Sequence, residues 1–273
     1  MTTIRDVLDT LERSYPAALA ESWDTGIGLT CGDPDDEVTG VLLAVDVDAV
    51  TVAETVAAGA QVLLTHHPLL FRPVQSVAAD TAKGGLVHRM IRSGLAHVAA
   101  HTNADTATGG VNDALAAALG VGGTRPLVPH PDGVTGSGRV GALAEPLTLT
   151  EFAALAARRL PATAGGVRAA GAPDRLISTV AVCGGAGDSY LPAAAASGAD
   201  VYLTSDLRHH VVGEFVADPA NPAVVDVAHW AGEWPWLPVA ADLLRAAHPG
   251  LAVTLSSTRT DPWTVHAAAG PVG

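Results

Sequence analysis

The 273-residue chain sets 15 Lys and Arg against 28 Asp and Glu, for a formal net charge of −13, and is 48% hydrophobic but only 4% aromatic. It is long enough to bury a sizeable core as one domain or as two lobes, and its acidic balance disfavours non-specific contact with nucleic acid or anionic membrane. Two cysteines, Cys31 and Cys183, exclude a disulfide framework, and there is no CxxC zinc signature.

The opening MTTIRDVLDTLERSYP carries charges at helical spacing and no continuous apolar region, so it does not read as a secretory signal. Gly, Pro, Asp or His interrupts every apolar run before it reaches the length of a membrane span. A cytoplasmic protein is expected. Further on, short β-branched runs alternate with Ala-rich stretches, the pattern of an α/β fold with a largely parallel sheet. Residues 41–47, 60–65 and 95–100 read as strands; 49–58, 85–93 and 111–119 read as helices. The Gly- and Pro-rich segment 120–138 reads as a connector. Beyond it come strand 139–143 and a helix from a Thr150 cap to residue 160. Strands are then expected over 179–183, 201–204, 223–227 and 251–255, with helices over 189–197, 207–217 and 237–247.

The pattern echoes itself. GAQVLLT, beginning at Gly59, matches GADVYLT, beginning at Gly198, at five of seven positions. His66-His67 follows the first and Ser205-Asp206 the second. Later, His101-x3-Asp105 follows one strand and His229-x3-Glu233 another. The expectation is two similar α/β halves, about 1–128 and 138–273, facing each other with a site between them at the strand ends.

Alone, a strand-end histidine is a hydrogen-bonding residue and a carboxylate after a strand is a helix cap. Together, His66, His67, Asp105, His229 and Glu233 form a mixed nitrogen and oxygen donor set. It suits Zn, Fe, Mn, Co or Ni better than Ca or Mg. Adjacent side chains on an extended backbone point to opposite faces, so His66-His67-Pro68 fits two metal ions better than one, and Glu233 is able to bridge them. His101 reads as orienting Asp105 or a water. His209 and His210 fall on the helix after the echoed strand. Arg72 is open to a phosphate or a surface ion pair, and Gly184-Gly185-Ala186-Gly187 to a phosphate or a tight turn.

GAQVLLTHHPLLFRPV, AHTNAD followed by GGVND, VCGGAG, ADVYLTSDLRHH and DVAHWAGE, with the opening ESWDTGIGLTCGDP, together resemble the GTP cyclohydrolase 1 type 2 homologue family, also called NIF-three-like. The resemblance covers nearly the whole chain. It places the family's dinuclear metal ligands on the same five residues. It also implies a ring-like homohexamer; from the sequence itself, tryptophans at 230, 234 and 236 read either as an exposed group beside the site or as ordinary core residues. The chain departs from the family at Thr25, Ser205 and Ala228-His229-Trp230, none of which replaces a ligand. Longer relatives carry an inserted domain that segment 120–138 is too short to hold. The expected activity is metal-dependent hydrolysis of a nucleotide or small cyclic amide, with His101, His209 or His210 shuttling protons. The alternative is a non-enzymatic metal-binding, metal-delivery or regulatory protein.

Overall fold

The computed structural model describes residues 1–267. In chain order the first elements are β1 (Thr2–Thr3), α1 (Ile4–Ser14), β2 (Gly28–Cys31), β3 (Glu37–Val38), β4 (Gly40–Ala44), α2 (Ala49–Ala57), β5 (Val62–Thr65), α3 (Ala82–Arg92), β6 (Ala96–Ala99), α4 (Thr102–Thr106) and α5 (Val111–Ala118). There follow β7 (Val121–Pro129), β8 (Gly136–Thr148), α6 (Leu149–Arg159), β9 (Val167–Ala170), β10 (Leu176–Ala186), α7 (Leu191–Ala196), β11 (Val201–Ser205) and α8 (His209–Val216). The last are β12 (Ala223–Val227), α9 (His229–Glu233), α10 (Trp236–Ala247) and β13 (Ala252–Leu255).

The fold is mixed α/β with mainly parallel sheets, and the chain divides into two compact units. The first comprises Met1–Ala114, Pro129–Ser137 and Pro235–Thr258; the second comprises Leu115–Val128, Gly138–Trp234 and the described residues from Arg259. In the first, five strands lie in the order β13-β4-β5-β6-β2. Neighbours are parallel except for β2 against β6. In the second, six strands lie in the order β7-β8-β10-β11-β12-β9, with β10-β11-β12 parallel, β8 antiparallel to β10 and β9 antiparallel to β12. The central strands Val41–Leu43, Val62–Leu64 and Val201–Leu203 are fully buried. Their unbroken apolar runs fit a sheet covered on both faces.

The echo in the sequence is also an echo in topology. The run β4-β5-β6 with antiparallel β2 at its edge corresponds to β10-β11-β12 with antiparallel β9 at its edge. An 11-residue helix precedes each edge strand, and each helix starts from a threonine capping box, Thr3 with Asp6 and Thr148 with Glu151. Each unit ends its third parallel strand in a five-residue helix bearing the motif, α4 or α9.

Some elements differ from the sequence expectation. Segment 120–138 is not an irregular connector: it holds β7 and the start of β8. Pro126 and the glycines are tolerated because β7 lies at a sheet edge. Asp132 Oδ1 accepts from the amides of Val134 and Thr135 to close the intervening turn. The cap of α6 is Thr148, not Thr150, since only Thr148 reaches the Glu151 amide. The α-helix expected over 189–197 begins as a 3₁₀ turn, Asp188–Tyr190, and becomes α-helical at Leu191, where Pro192 suits the first turn. Of the two readings of the tryptophans the core one holds: Trp236 is fully buried, Trp230 is 6% exposed and Trp234 is half-buried. Trp236 packs edge-on to Tyr15, at 5.8 Å between ring centroids.

Candidate metal centre

In the first unit the site begins where β5 runs out. Thr65 is its last residue, so His66 and His67 leave the C-terminal edge of a parallel sheet. Their rings do not diverge as an extended backbone requires; the centroids are 5.0 Å apart. Thr65 Oγ1 donates to the His67 carbonyl at 2.6 Å, closing a turn that breaks the strand's alternation. His66 is buried, and its Nδ1 donates to the Ala100 carbonyl at 2.9 Å. His67 Nδ1 donates to Asp46 at 2.7 Å. His101 caps α4, and its Nδ1 donates to Asp24 at 2.9 Å. One ligating atom from each of His66, His67 and His101 lies within 4.8 Å of the others. Asp105, one helical turn beyond His101, brings Oδ1 to 3.6 Å from His66 Nε2.

In the second unit, β12 leads through Ala228 into α9. The i, i+4 spacing puts His229 and Glu233 on one helix face, with Nε2 and Oε1 2.9 Å apart. His229 Nδ1 donates to Asp206 at 2.7 Å. Burial disfavours the charged imidazole, but Glu233 and Asp206 on either side outweigh it and push its pKa up to about 11. A metal at Nε2 therefore has to displace a proton.

Two backbone features hold this pair. Asp206 has φ 60°, the only positive φ outside glycine among the described residues, a conformation that Asp and Asn tolerate better than most side chains. Gly185 has φ 71°, and a Cβ there would meet Glu233 Oε1 at 2.6 Å and His229 Nε2 at 3.2 Å. The glycine-rich VCGGAG segment is thus clearance for the His229–Glu233 pair. Thr204 Oγ1 and Tyr202 Oη hold it by donating to the carbonyls of Gly185 and Gly187.

All four of these histidines follow one rule. Carbonyl and carboxylate oxygens only accept, so Nδ1 carries a proton and Nε2 is the atom left to face the site, the orientation that an outer shell gives metal-bound histidines. The orienting residues Asp24, Asp46 and Asp206 were not legible as such. Each is remote in sequence from its histidine, and although Asp24 lies in ESWDTGIGLTCGDP and Asp206 follows the echoed strand, neither segment tells which histidine its carboxylate meets. Burial opposes ionisation of Asp24, yet hydrogen bonds from His101 and Thr102 hold its carboxyl down at about 2. It is therefore an anion at neutral pH. The imidazoles fixed as Nε2 donors, with Asp105 and Glu233, match the mixed nitrogen and oxygen preferences of transition metals. The donor set fits. His209 and His210 are exposed at the start of α8, their rings 5.1 Å apart, and neither belongs to a ligating group among the described residues.

Asp206→Asn is expected to keep the left-handed backbone and lose the charge. The His229 pKa should fall toward its ordinary value, while affinity for Zn drops about tenfold. NMR titration of the imidazole in metal-free protein, with a competitive Zn titration, checks both. Unchanged values would mean that Asp206 does not orient the ring.

Relatives and solved structures share this arrangement of sequence and fold. A "GTP cyclohydrolase 1 type 2 homolog" from Streptomyces coelicolor is 50% identical, covering 99% of this chain and 97% of its own. One from Mycobacterium leprae is 35% identical over 373 aligned positions, so it carries inserted sequence that this 273-residue chain lacks. The crystal structure of a Bacillus cereus protein related to NIF3 superposes with a TM-score of 0.88 at 26% identity, covering 97% of this chain and 99% of that one. The family model for Duf34/NIF3 (NGG1p interacting factor 3) matches residues 2–262. The chain belongs to the Duf34/NIF3 family.

Proposed function

We propose that His66, His67, Asp105, His229 and Glu233 serve one centre of two divalent transition-metal ions, and that the protein is a metal-dependent hydrolase acting on a nucleotide or small cyclic amide. The observation that carries this is the common orientation of the three imidazoles, His66, His67 and His229, each held by Nδ1 on a fixed oxygen so that Nε2 is the atom turned toward the other donors. The names of the relatives support the reaction class. A divalent pair, when bound, supplies Lewis acidity and lowers the pKa of water. The protein's own contribution is to hold ligands in register. Asp46, Asp24 and Asp206 fix ring orientation, and Glu233, 2% exposed, contributes a carboxylate shielded from bulk water. His101, hydrogen-bonded to an Asp24 that stays ionised, is suited to hold a proton at Nδ1 and to accept one at Nε2. His209 and His210, expected above as proton shuttles, stand exposed at the start of α8 and outside the ligating groups of the described residues. Alanine at either position tests the shuttle role by kcat.

Elemental analysis of protein purified without chelator is expected to give close to two Zn, Fe, Mn, Co or Ni ions per chain. Glu233→Gln and His229→Ala should each lower that number. A content near zero after reconstitution sinks the centre. Turnover of a nucleotide panel should vanish with chelator and return with metal. A fully metallated protein that turns over nothing, while gaining or losing a binding partner with metal, would favour the regulatory or metal-delivery reading instead. The homohexamer rests on the family resemblance alone, and light scattering that reports a stable monomer would remove it. No helix among the described residues is long and apolar enough to cross a membrane.

A further inference from the structure

We infer that Trp23, Phe71 and His101 form a three-sided aromatic corner that binds a planar heteroaromatic ring, placing its edge beside the His66–His67–His101 cluster. This names the substrate class of the site proposed above and rests on that reading. Trp23 is 58% exposed and Phe71 45%, in a protein only 4% aromatic. Large exposed aromatics brought together beside polar donors mark a binding surface more often than chance exposure.

Their placement is built. Trp23 precedes Asp24, a 7% exposed carboxylate tied to His101 Nδ1, to the Thr102 amide and to its hydroxyl. Gly26, two residues further on, lies so close to the segment after the paired histidines that a Cβ would sit 2.9 Å from Pro68. The WDTG loop is therefore pinned at one end to His101 and Thr102 at the start of α4 and at the other against HHPLLF. The pinning sets Trp23 5.9 Å from Phe71 at 68° between planes, Trp23 6.1 Å from His101 at 78°, and Phe71 5.7 Å from His101 at 77°. Three rings at near right angles make a corner in which a flat ligand stacks on one face and meets the other rings at its edge, the geometry aromatic pairs prefer. A sugar or an aliphatic amide has no π-face to match these rings. A planar ring offers a π-face to stack on one ring and a polar edge that the others meet at right angles.

The test uses the metal-loaded protein, with metal content measured on every sample. Guanosine, GTP, xanthine and a pterin are titrated by tryptophan quenching and calorimetry, against ribose 5-phosphate. At least one ring compound is expected to bind, with Trp23→Ala and Phe71→Ala each weakening it about tenfold. Trp23→Phe should restore most of that loss. Melting temperature and metal content should stay as in the parent, since both side chains are exposed and neither is a ligand. Ring binding that is indifferent to both alanine variants, or that ribose 5-phosphate equals, overturns the inference. So does metal-replete protein that binds no ring, or an aromatic corner covered by a second copy, seen as an alanine variant that changes the oligomer and not ligand affinity. Metal content near zero would instead remove the centre itself, so the two failures read differently.

Discussion

Replacing Gly185 with alanine is expected to cost little stability and most of the metal affinity. The added Cβ has two consequences. It forces a non-glycine residue to φ 71°, a strain of about 1 kcal/mol. It also falls 2.6 Å from Glu233 Oε1 and 3.2 Å from His229 Nε2. The Glu233 carboxylate is the end of a flexible side chain, so it moves aside without unfolding the unit, but it leaves the place where it acts as a ligand. Affinity for Zn should fall about 10- to 100-fold, on the scale of losing ligand orientation. Gly198→Ala is the control. Its φ is 79° and a Cβ there meets nothing within 4 Å, so it carries the backbone strain without the collision. Equal losses of metal in the two variants would refute the clearance role of Gly185. Denaturant midpoints with competitive metal titrations separate the two effects.

The second large effect is acid lability that originates at His97. This histidine is completely buried in β6, and burial alone pushes its pKa down to about 4. Thr65 Oγ1 donates its own proton to the His67 carbonyl, so His97 Nε2 is the donor in its 2.8 Å bond to that hydroxyl. The ring is therefore neutral in the folded protein, and Nδ1 is buried without a hydrogen-bond partner. The unfolded chain takes up a proton at the ordinary histidine pKa, near 6.5, and the folded chain only near 4. Between those values the unfolded state holds more protons. Stability thus rises with pH across the window and is lost as pH falls from 6.5 to 4, by about 3 kcal/mol at most.

Two other shifted groups bracket this window. His229, raised to about 11, is charged in both states below pH 6.5, so its contribution is full there and is lost as pH rises from 6.5 toward 11. Asp24, held at about 2, contributes above the unfolded value of 3.8 and loses that contribution only below it. In chelator-treated protein, His97→Gln keeps a donor for Thr65 and removes the titration. Its urea midpoint should be nearly flat from pH 6.5 to 4, where the parent's falls. Parallel slopes would assign the acid lability to some other group.

The strands that carry the donors were legible because the burial that defines them is local. Unbroken runs such as Val62–Leu64 and Val201–Leu203 are apolar on both faces, and the polar residues that follow them mark where each strand leaves the core. The same locality made His229 and Glu233 readable as a pair, since a single helical turn joins them. The carboxylates that orient the rings follow no such rule. Asp24 and His101 are 77 residues apart, and Asp46 and His67 are 21 apart. Each meets its histidine because neighbouring strands and loops end at the same edge of a sheet. An acidic residue in the sequence is equally suited to a surface or a cap.

What the sequence determined by itself is the alternating α/β pattern, the echo between its halves and the residues proposed as donors. Those follow from hydrophobic periodicity and side-chain chemistry, which are properties of neighbouring residues. The tertiary structure alone decided that β13 pairs with β4 in the first unit's sheet, that Trp236 lies in the core beside Tyr15, and that segment 120–138 contains a strand. It also decided that Gly185 is bare because another element's carboxylate occupies the space a side chain would take. Each of these depends on which distant segment arrives at the same place, and a steric exclusion of that kind leaves no periodic mark on the chain.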